Sequence, residues 1–257
     1  MATAEAATRL VGSDRVLAVL KELAGYADGA TLDELTKAVG GPKPTIHRAL
    51  GSLRRAAFAE QGPDGRYRLG DEYLRLAFDF HEARPDHVRV RPALETLAGR
   101  FGETTHYAVL DDREVVYRAK VDPPTGAVRL TSTVGGRNPA HATAVGKLLL
   151  ARELTSLAEV KAWIGRTPLP ARTANTLCTA PQLHRELDKV REQGYAVDDE
   201  ENEPGINCLA LPVHALSSAA PSGGVSVSAL AYRTPLRVLV GRVAEVREAL
   251  GPLGEPR

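Results

Sequence analysis

The stretch GPKPTIHRALGSLRR, residues 41–55, decides how the first part of the chain reads. Ile46, Ala49, Leu50 and Leu53 recur at the spacing of one helical face, which leaves Lys43, Thr45, His47 and Arg48 turned outward. Pro42 and Pro44 stand at its start, where a helix tolerates a missing N–H because that group would have no partner anyway. Upstream, TLDE at 31–34 has the form of a capping box, with Leu32, Leu35 and Val39 as the inner face of the helix it opens. Further upstream, Ser13 reads as an N-cap before Val16, Val19, Leu20 and Leu23. Downstream, FAEQGPDGRYRLG at 58–70 reads as a hairpin about its GPDG turn, with Arg66 and Arg68 on one strand face.

Helix, helix, tight turn, helix and basic hairpin is the order of a winged helix-turn-helix. Such a domain sets the second helix of the pair into the DNA major groove by residues near its N-terminus, and cations on the wing hold phosphates. Lys43, Thr45, His47, Arg48 and Arg54 on the helix, with Arg66 and Arg68 on the wing, are therefore the expected contacts to a double-stranded operator. Charge agrees locally: residues 37–70 hold seven cations and two anions, although the chain as a whole carries a formal +1.

TLDELTKAVGGPKPTIHRALGSLRRAAFAEQGPDGRYRLGDEYLRLA resembles the DNA-binding half of the IclR family of bacterial transcriptional regulators. The likeness lies in a helix pair with a Gly-containing turn, a Thr-x-His-Arg-x-Leu recognition helix and a wing ending Tyr-x-Leu-Gly. Pro44 departs from the small polar residue usual there, and Ala57 from the usual glycine.

Beyond the hairpin, DEYLRLAFDFHEA places Tyr73, Leu74, Ala77, Phe78 and His81 on one side of a helix that Arg84-Pro85 would end. A helix packed on the next domain and a linker helix paired with its own copy both fit; paired half-sites favour the second. After another helix with Val90, Leu94, Leu97 and Phe101 inward, strands are expected at THYAVL, EVVYRAKV, AVRLTS, CLALPVHAL and GVSVSALAY. Helices are expected near 143–152, 154–164, 180–193 and from Pro235 to Leu250. A mostly antiparallel sheet flanked by helices makes the fold α+β. The expected boundaries are an arm (1–12), the winged helix-turn-helix (13–70), a linker helix (71–86), a GAF-like effector-binding domain (87–251), as the resemblance implies, and a tail (252–257).

Two motifs in this second part bear on chemistry. In GGRNPAHATAVGKLLLA, a phosphate-loop pattern fails because His141 and Leu148 stand where it needs Gly and Ser or Thr. Thr143 capping a helix whose first amides favour an anion is what remains, against an ordinary buried cap. GYAVDDEENEPGINCLALPVHA is similar to the family's C-terminal signature, with Gly194, Asp198, Glu201, Cys208-Leu209-Ala210 and Val213-His214 in step and Ala215 out of it. The resemblance implies an effector pocket lined by Asp198, Cys208, Ser226, Ser228 and the amides of Ala144 and Val145, with Ala127, Leu130 and Ile206 as apolar wall. Asp199, Glu200 and Glu203 read as a solvated loop.

The function expected is a ligand-responsive DNA-binding regulator sensing a small organic acid or sugar-derived metabolite, without cofactor or catalytic residues. It is expected to act as a homodimer and dimer of dimers. A metal sensor built on Asp198, Cys208 and a histidine lacks any short ligand spacing. A hydrolase using Cys208 or Ser226 with His141 lacks a nucleophile elbow. Two cysteines thirty positions apart suit a reducing cytoplasm. The N-terminus has no secretory pattern, and no apolar run reaches the roughly 18 residues of a membrane span.

Overall fold

The computed structural model describes residues 12–82, 86–123, 130–214 and 221–255. The chain forms two compact units that divide between residues 84 and 85. Among the described residues no helix is long and apolar enough to cross a membrane.

The first unit runs α1 (Gly12–Leu23), α2 (Leu32–Val39), α3 (Lys43–Arg55), β1 (Ala59–Gln61), β2 (Tyr67–Leu69) and α4 (Asp71–Glu82). The capping box forms: the Thr31 hydroxyl accepts from the Glu34 N–H at 3.2 Å, and Glu34 Oε2 accepts from the Thr31 N–H at 2.7 Å. Ser13 does not cap α1; it lies inside the helix, whose first turn carries Asp14 against the positive end of the dipole. Val19, Leu23, Leu35, Ile46, Leu50 and Tyr67 close one core, each large aliphatic side chain contributing about 1.5–3 kcal/mol by burial. The wing pairs Ala59 with Leu69 and Gln61 with Tyr67, and Tyr67 also bridges to Ala30. Ala57, where the chain turns into the wing, has φ +57°, the left-handed region. On α4, Tyr73, Leu74, Leu76 and Phe78 stay exposed.

The second unit contains α5 (Asp86–Phe101), β3 (Thr104–Asp111), β4 (Glu114–Val121), β5 (Arg137–Pro139), α6 (Ala144–Glu153), α7 (Leu157–Ile164) and α8 (Ala180–Gln193). Then follow β6 (Ala196–Asp199), β7 (Ile206–Val213), β8 (Gly223–Leu230), α9 (Leu236–Gly241) and α10 (Val243–Leu250). Among the described residues its six strands form one antiparallel sheet in the order β5-β4-β3-β8-β7-β6. Side chains alternate across it. Tyr107, Leu209, Leu211, Val225 and Val227 face α5, α9 and α10, while Ala108, Ala196 and Ala210 face α6, α7 and α8.

Two expectations fail here. Residues 130–132 of AVRLTS are not a strand, and residues 127–129 lie outside the described residues; the sheet edge is instead β5, a three-residue strand that the sequence did not announce. The single helix from Pro235 to Leu250 is two, broken at Arg242, which follows Gly241. There the Arg242 guanidinium lies 3.7 Å over the Phe101 ring and donates to Glu245 at 2.7 Å, contacts that a continuous helix does not require.

Candidate functional site

In the first unit, helical spacing buries Ile46, Ala49, Leu50 and Leu53 of α3 and exposes Lys43, His47, Arg48, Arg54 and Arg55. Arg48 Nη2 donates to Thr45 Oγ1 at 3.4 Å, and Arg54 donates to Gln61 of the wing at 3.1 Å. Lys43 pairs with Asp33 at 2.6 Å, an exposed pair of small net value. The wing arginines are less free than their sequence positions suggest. Arg66 donates to the Gly29 carbonyl at 2.9 Å and to Glu34 at 3.3 Å, fastening the wing to the cap of α2. Arg68 pairs with Asp64 at 2.7 Å. A phosphate would have to share or replace those carboxylates, an exchange that exposed pairs permit because water screens them.

In the second unit, the strand registers bring distant residues into rows on one sheet face. Asp198 of β6 lies opposite Cys208 of β7, Cys208 opposite Ser228 of β8, and Ser226 opposite His106 of β3. With the start of α6 and the segment 130–138 these rows enclose a cavity of about 240 Å³, small for a ligand pocket. Leu130, Ala144, Val145, Asp198, Ile206, Cys208, Ser226 and Ser228, all named from sequence, line it. Ala127 lies outside the described residues. His106, Tyr117, Asn138 and Arg172 line it too and were not foreseen. The alternation of β3 and β4 offered a signal for the first two, since an inward Ala108 makes His106 inward as well.

The polar groups of the cavity are held in place. The Lys120 ammonium donates to the Leu130 and Ser132 carbonyls at 2.8 and 2.9 Å and so anchors the covering segment. His106 bonds Ser132 Oγ at 2.8 Å and Ser228 Oγ at 3.4 Å, and its ring sits 4.8 Å from that of Tyr117. Burial, with Lys120 adding to it, lowers the imidazole to about 3, so the ring is neutral. Burial likewise pushes Tyr117 up to about 12 and the Cys208 thiol well above its usual value.

Helix α6 begins at the cavity. Thr143 Oγ1 accepts from the Gly146 N–H at 3.2 Å, and the Ala144 and Val145 amides belong to a first turn that has no intrahelical acceptors. The Gly-Lys that suggested a phosphate loop has other duties. A Cβ on Gly146 would stand 2.1 Å from the Ala140 carbonyl oxygen, so glycine lets the helix start approach the preceding turn. Lys147 is fully buried and pairs with Glu201 and, at 3.4 Å, with Glu186. The acidic run is correspondingly not all solvated loop. Glu201 is buried, and Glu200, at φ +56°, accepts from the Gly205 N–H at 2.7 Å. From the loop before α8, Thr173 and Thr176 donate to the Glu200 and Glu201 carbonyls, each at 2.7 Å.

His141 is not in this cavity. Its Nε2 bonds the Pro170 carbonyl at 3.1 Å, in a separate cleft with Trp163 and Arg113. A nucleophile-base pair of Cys208 or Ser226 with His141 therefore finds no support in the geometry. Among the described residues no cluster of metal-ligating side chains occurs.

Comparison with known proteins gives a match for each part of the chain. A family model for the "IclR helix-turn-helix domain" matches residues 13–63, and one for the "Bacterial transcriptional regulator IclR C-terminal" matches residues 87–250. The chain is 35% identical over 205 residues to the HTH-type transcriptional regulator XynR of Escherichia coli, covering 78% of this chain and 79% of that one. The crystal structure of the Thermotoga maritima IclR superimposes with a TM-score of 0.74 at 25% identity, covering 94% of this chain and 95% of that one. An IclR homologue from Microbacterium hydrocarbonoxydans, solved in complex with 4-hydroxybenzoate, shares the fold with a TM-score of 0.71 at 23% identity, covering 91% and 98%.

Proposed function

This chain belongs to the IclR family of bacterial transcriptional regulators and is a ligand-responsive DNA-binding regulator, and from that premise we propose how its two sites work. Helix α3 enters the major groove with Lys43, Thr45, His47 and Arg48 at bases and backbone, while Arg54, Arg66 and Arg68 meet phosphates. The effector is a small acid that also carries hydroxyl groups. Its carboxylate lies at the Ala144 and Val145 amides, where the helix start favours an anion, and Ser226 and Ser228 meet its hydroxyls. Cys208, Leu130, Ile206 and Ala127 pack on its carbon skeleton. The exposed face of α4, within a linker at 71–86, pairs two chains, and two such pairs form a dimer of dimers in the cytoplasm. The winged domain is taken as 13–70 and the effector domain as 87–251.

One observation carries the effector reading: residues from β6, β7, β8 and the start of α6, far apart in sequence, meet around a single small cavity. The test is a thermal-shift panel of sugar acids, hydroxy acids and hydroxybenzoates on the full chain, followed by a shift assay on the DNA upstream of its own gene. An acid present at about 100 times its Kd stabilises by about 2.7 kcal/mol and moves DNA affinity by about 1–3 kcal/mol. A panel in which no acid stabilises the chain, or one whose hits leave DNA affinity unchanged, refutes the acid-sensing reading.

A further inference from the structure

Asp198 sits on the cavity wall with 2% of its surface exposed. Among the described residues it belongs to no ion pair. The buried cation beside it, Lys147, is committed to Glu201 and Glu186. On Oδ1 Asp198 receives two backbone N–H groups, from Glu201 at 2.7 Å and Asn202 at 3.4 Å, and the Cys208 thiol also hydrogen-bonds its carboxyl. Glu201 adds a second buried carboxyl three residues away, with Oε2 lacking any hydrogen-bond partner.

The other surrounding groups supply no counter-charge. On β7 the Cys208 thiol donates to Ser228 and burial keeps it protonated. On β3 and β4, His106 is neutral and Tyr117 keeps its proton. Glu186 on α8 and Glu203 in the loop are further acids. Of the cations lining the cavity, Arg137 is taken by Asp111 and Glu114 at 2.5 and 3.3 Å, and Arg172 Nε donates to the Asn202 carbonyl at 3.0 Å. A buried carboxylate whose neighbouring cation is paired with two other carboxylates favours its neutral form, against the opposing pull of Lys147 and of the two backbone N–H groups. Burial first, and Glu201 second, hold the Asp198 carboxyl up at about 7.

We propose that Asp198 faces the cavity as a protonated acid, a hydrogen-bond donor that selects an acceptor oxygen on the effector. This deepens the acid-binding reading and rests on it for the identity of that oxygen. An ionised Asp198 would repel an effector carboxylate placed in the same small cavity; a neutral one donates to it, joining the α6 amides as a third donor. The proton comes from solvent: where Asp198 is ionised in the empty protein, binding the acid anion takes up one proton, which stays on Asp198.

Protonation is tested without any effector. Thermal or urea unfolding of the full chain is followed between about pH 4 and 8.5, wild type against Asp198→Asn, which keeps the shape of the protonated acid. A folded-state value raised from about 3.9 to about 7 stabilises fully below the unfolded value, and that stability is lost as pH rises through the folded one. The wild-type folding equilibrium therefore drops about tenfold per pH unit relative to Asp198→Asn between about pH 4 and 7, and the two profiles run parallel above that. Profiles parallel throughout, or a wild type that gains on the variant as pH rises, overturn the proposal. Should Asp198→Asn not fold, a carbon-13 titration of aspartate-labelled wild type decides. A carboxyl resonance with a midpoint near 7 supports the proposal, and all midpoints below about 5 sink it. Failure of the acid-binding reading would show in the metabolite panel and leave this titration untouched.

Discussion

The two helices to which the proposal assigns the two functions are built in opposite ways. On α3, four of thirteen residues are buried, and Lys43, His47, Arg48, Arg54 and Arg55 lie in solvent. On α6 every residue from Ala144 to Ala151 is buried, Lys147 included. A recognition helix must leave its polar side chains unburied, because the DNA that covers them comes and goes. A helix that ends on a ligand cavity has the rest of its length locked in the core, and any charge on it must find a buried partner. Substitutions in the first helix should therefore register in binding, and those in the second in folding.

The strongest way to break that contrast is Lys147→Met. Removing one member of a buried pair leaves Glu201 uncompensated, at a cost of about 3–5 kcal/mol. Urea unfolding followed by the single tryptophan, Trp163, which lies in the same unit, reads the loss. Lys147→Met combined with Glu201→Gln should recover a large part of it. A cost under about 1 kcal/mol for Lys147→Met would mean that the pair is not what holds α6 against the 200–203 loop.

Arg48→Ala is the matching substitution on α3. It should leave unfolding within about 0.5 kcal/mol of wild type, as exposed positions do. It should cost about 1–3 kcal/mol on the operator if the guanidinium reads a base, and less on random duplex. Arg66→Ala sharpens the comparison from an intermediate position. It should flatten the salt dependence by about one unit, and it also frees Glu34 and the Gly29 carbonyl, so a small loss of stability accompanies it. Equal operator affinity for both variants and wild type would remove the DNA reading of this surface.

The cavity adds a pH prediction. For an acid found by the panel, affinity should fall about tenfold, or about 1.4 kcal/mol, per pH unit above about 7, as Asp198 loses its proton. It should be level over the same range in Asp198→Asn. A wild-type affinity that does not change from pH 6 to 9 would show that Asp198 and the effector charge do not meet.

The same opposition explains what could be read from sequence. Helix α3 announces itself because it is half buried, so its apolar spacing marks the core and the remainder marks the interface. Helix α8 is amphipathic too, and its expected span, 180–193, is the observed one. Helix α6 is buried on all sides from Ala144 to Ala151, so it has no apolar stripe; the Thr143 cap pointed to its start, and nothing local told what Lys147 does. Strands of three or four residues, β5 and β6, are too short to display an alternation. The cavity was legible through the family signature and through the period of two in β8, which sends Ser226 and Ser228 to one face. Arg172 and Asn138 reach it by tertiary contact alone, and local pattern has no record of that.

The smallest expected effect lies at Ala57, at the entry to the wing, where the family resemblance implies a glycine. Its φ of +57° is left-handed, where a Cβ crowds the following carbonyl and any residue but glycine is strained by about 1–2 kcal/mol. Asn or Asp could recover part of that through a local hydrogen bond; alanine has no such group. Glycine would relieve the strain but lose about 0.5–1 kcal/mol to the greater freedom of its unfolded chain. The two terms leave Ala57→Gly stabilising by roughly 0.5–1 kcal/mol, inside the first unit only. The turn is held by the Phe58 N–H donating to the Leu53 carbonyl at 2.9 Å and the Gly70 N–H donating to the Phe58 carbonyl at 3.0 Å, so a left-handed residue is required at 57 whatever its type. Differential scanning of wild type and Ala57→Gly should show the transition of the first unit rising while that of the second stays put. A variant of lower stability would mean that Ala57 is not strained as this turn requires. A rise shared by both transitions would mean that the two units do not unfold separately, and the contrast between α3 and α6 would then have to be measured by local hydrogen exchange instead of by melting.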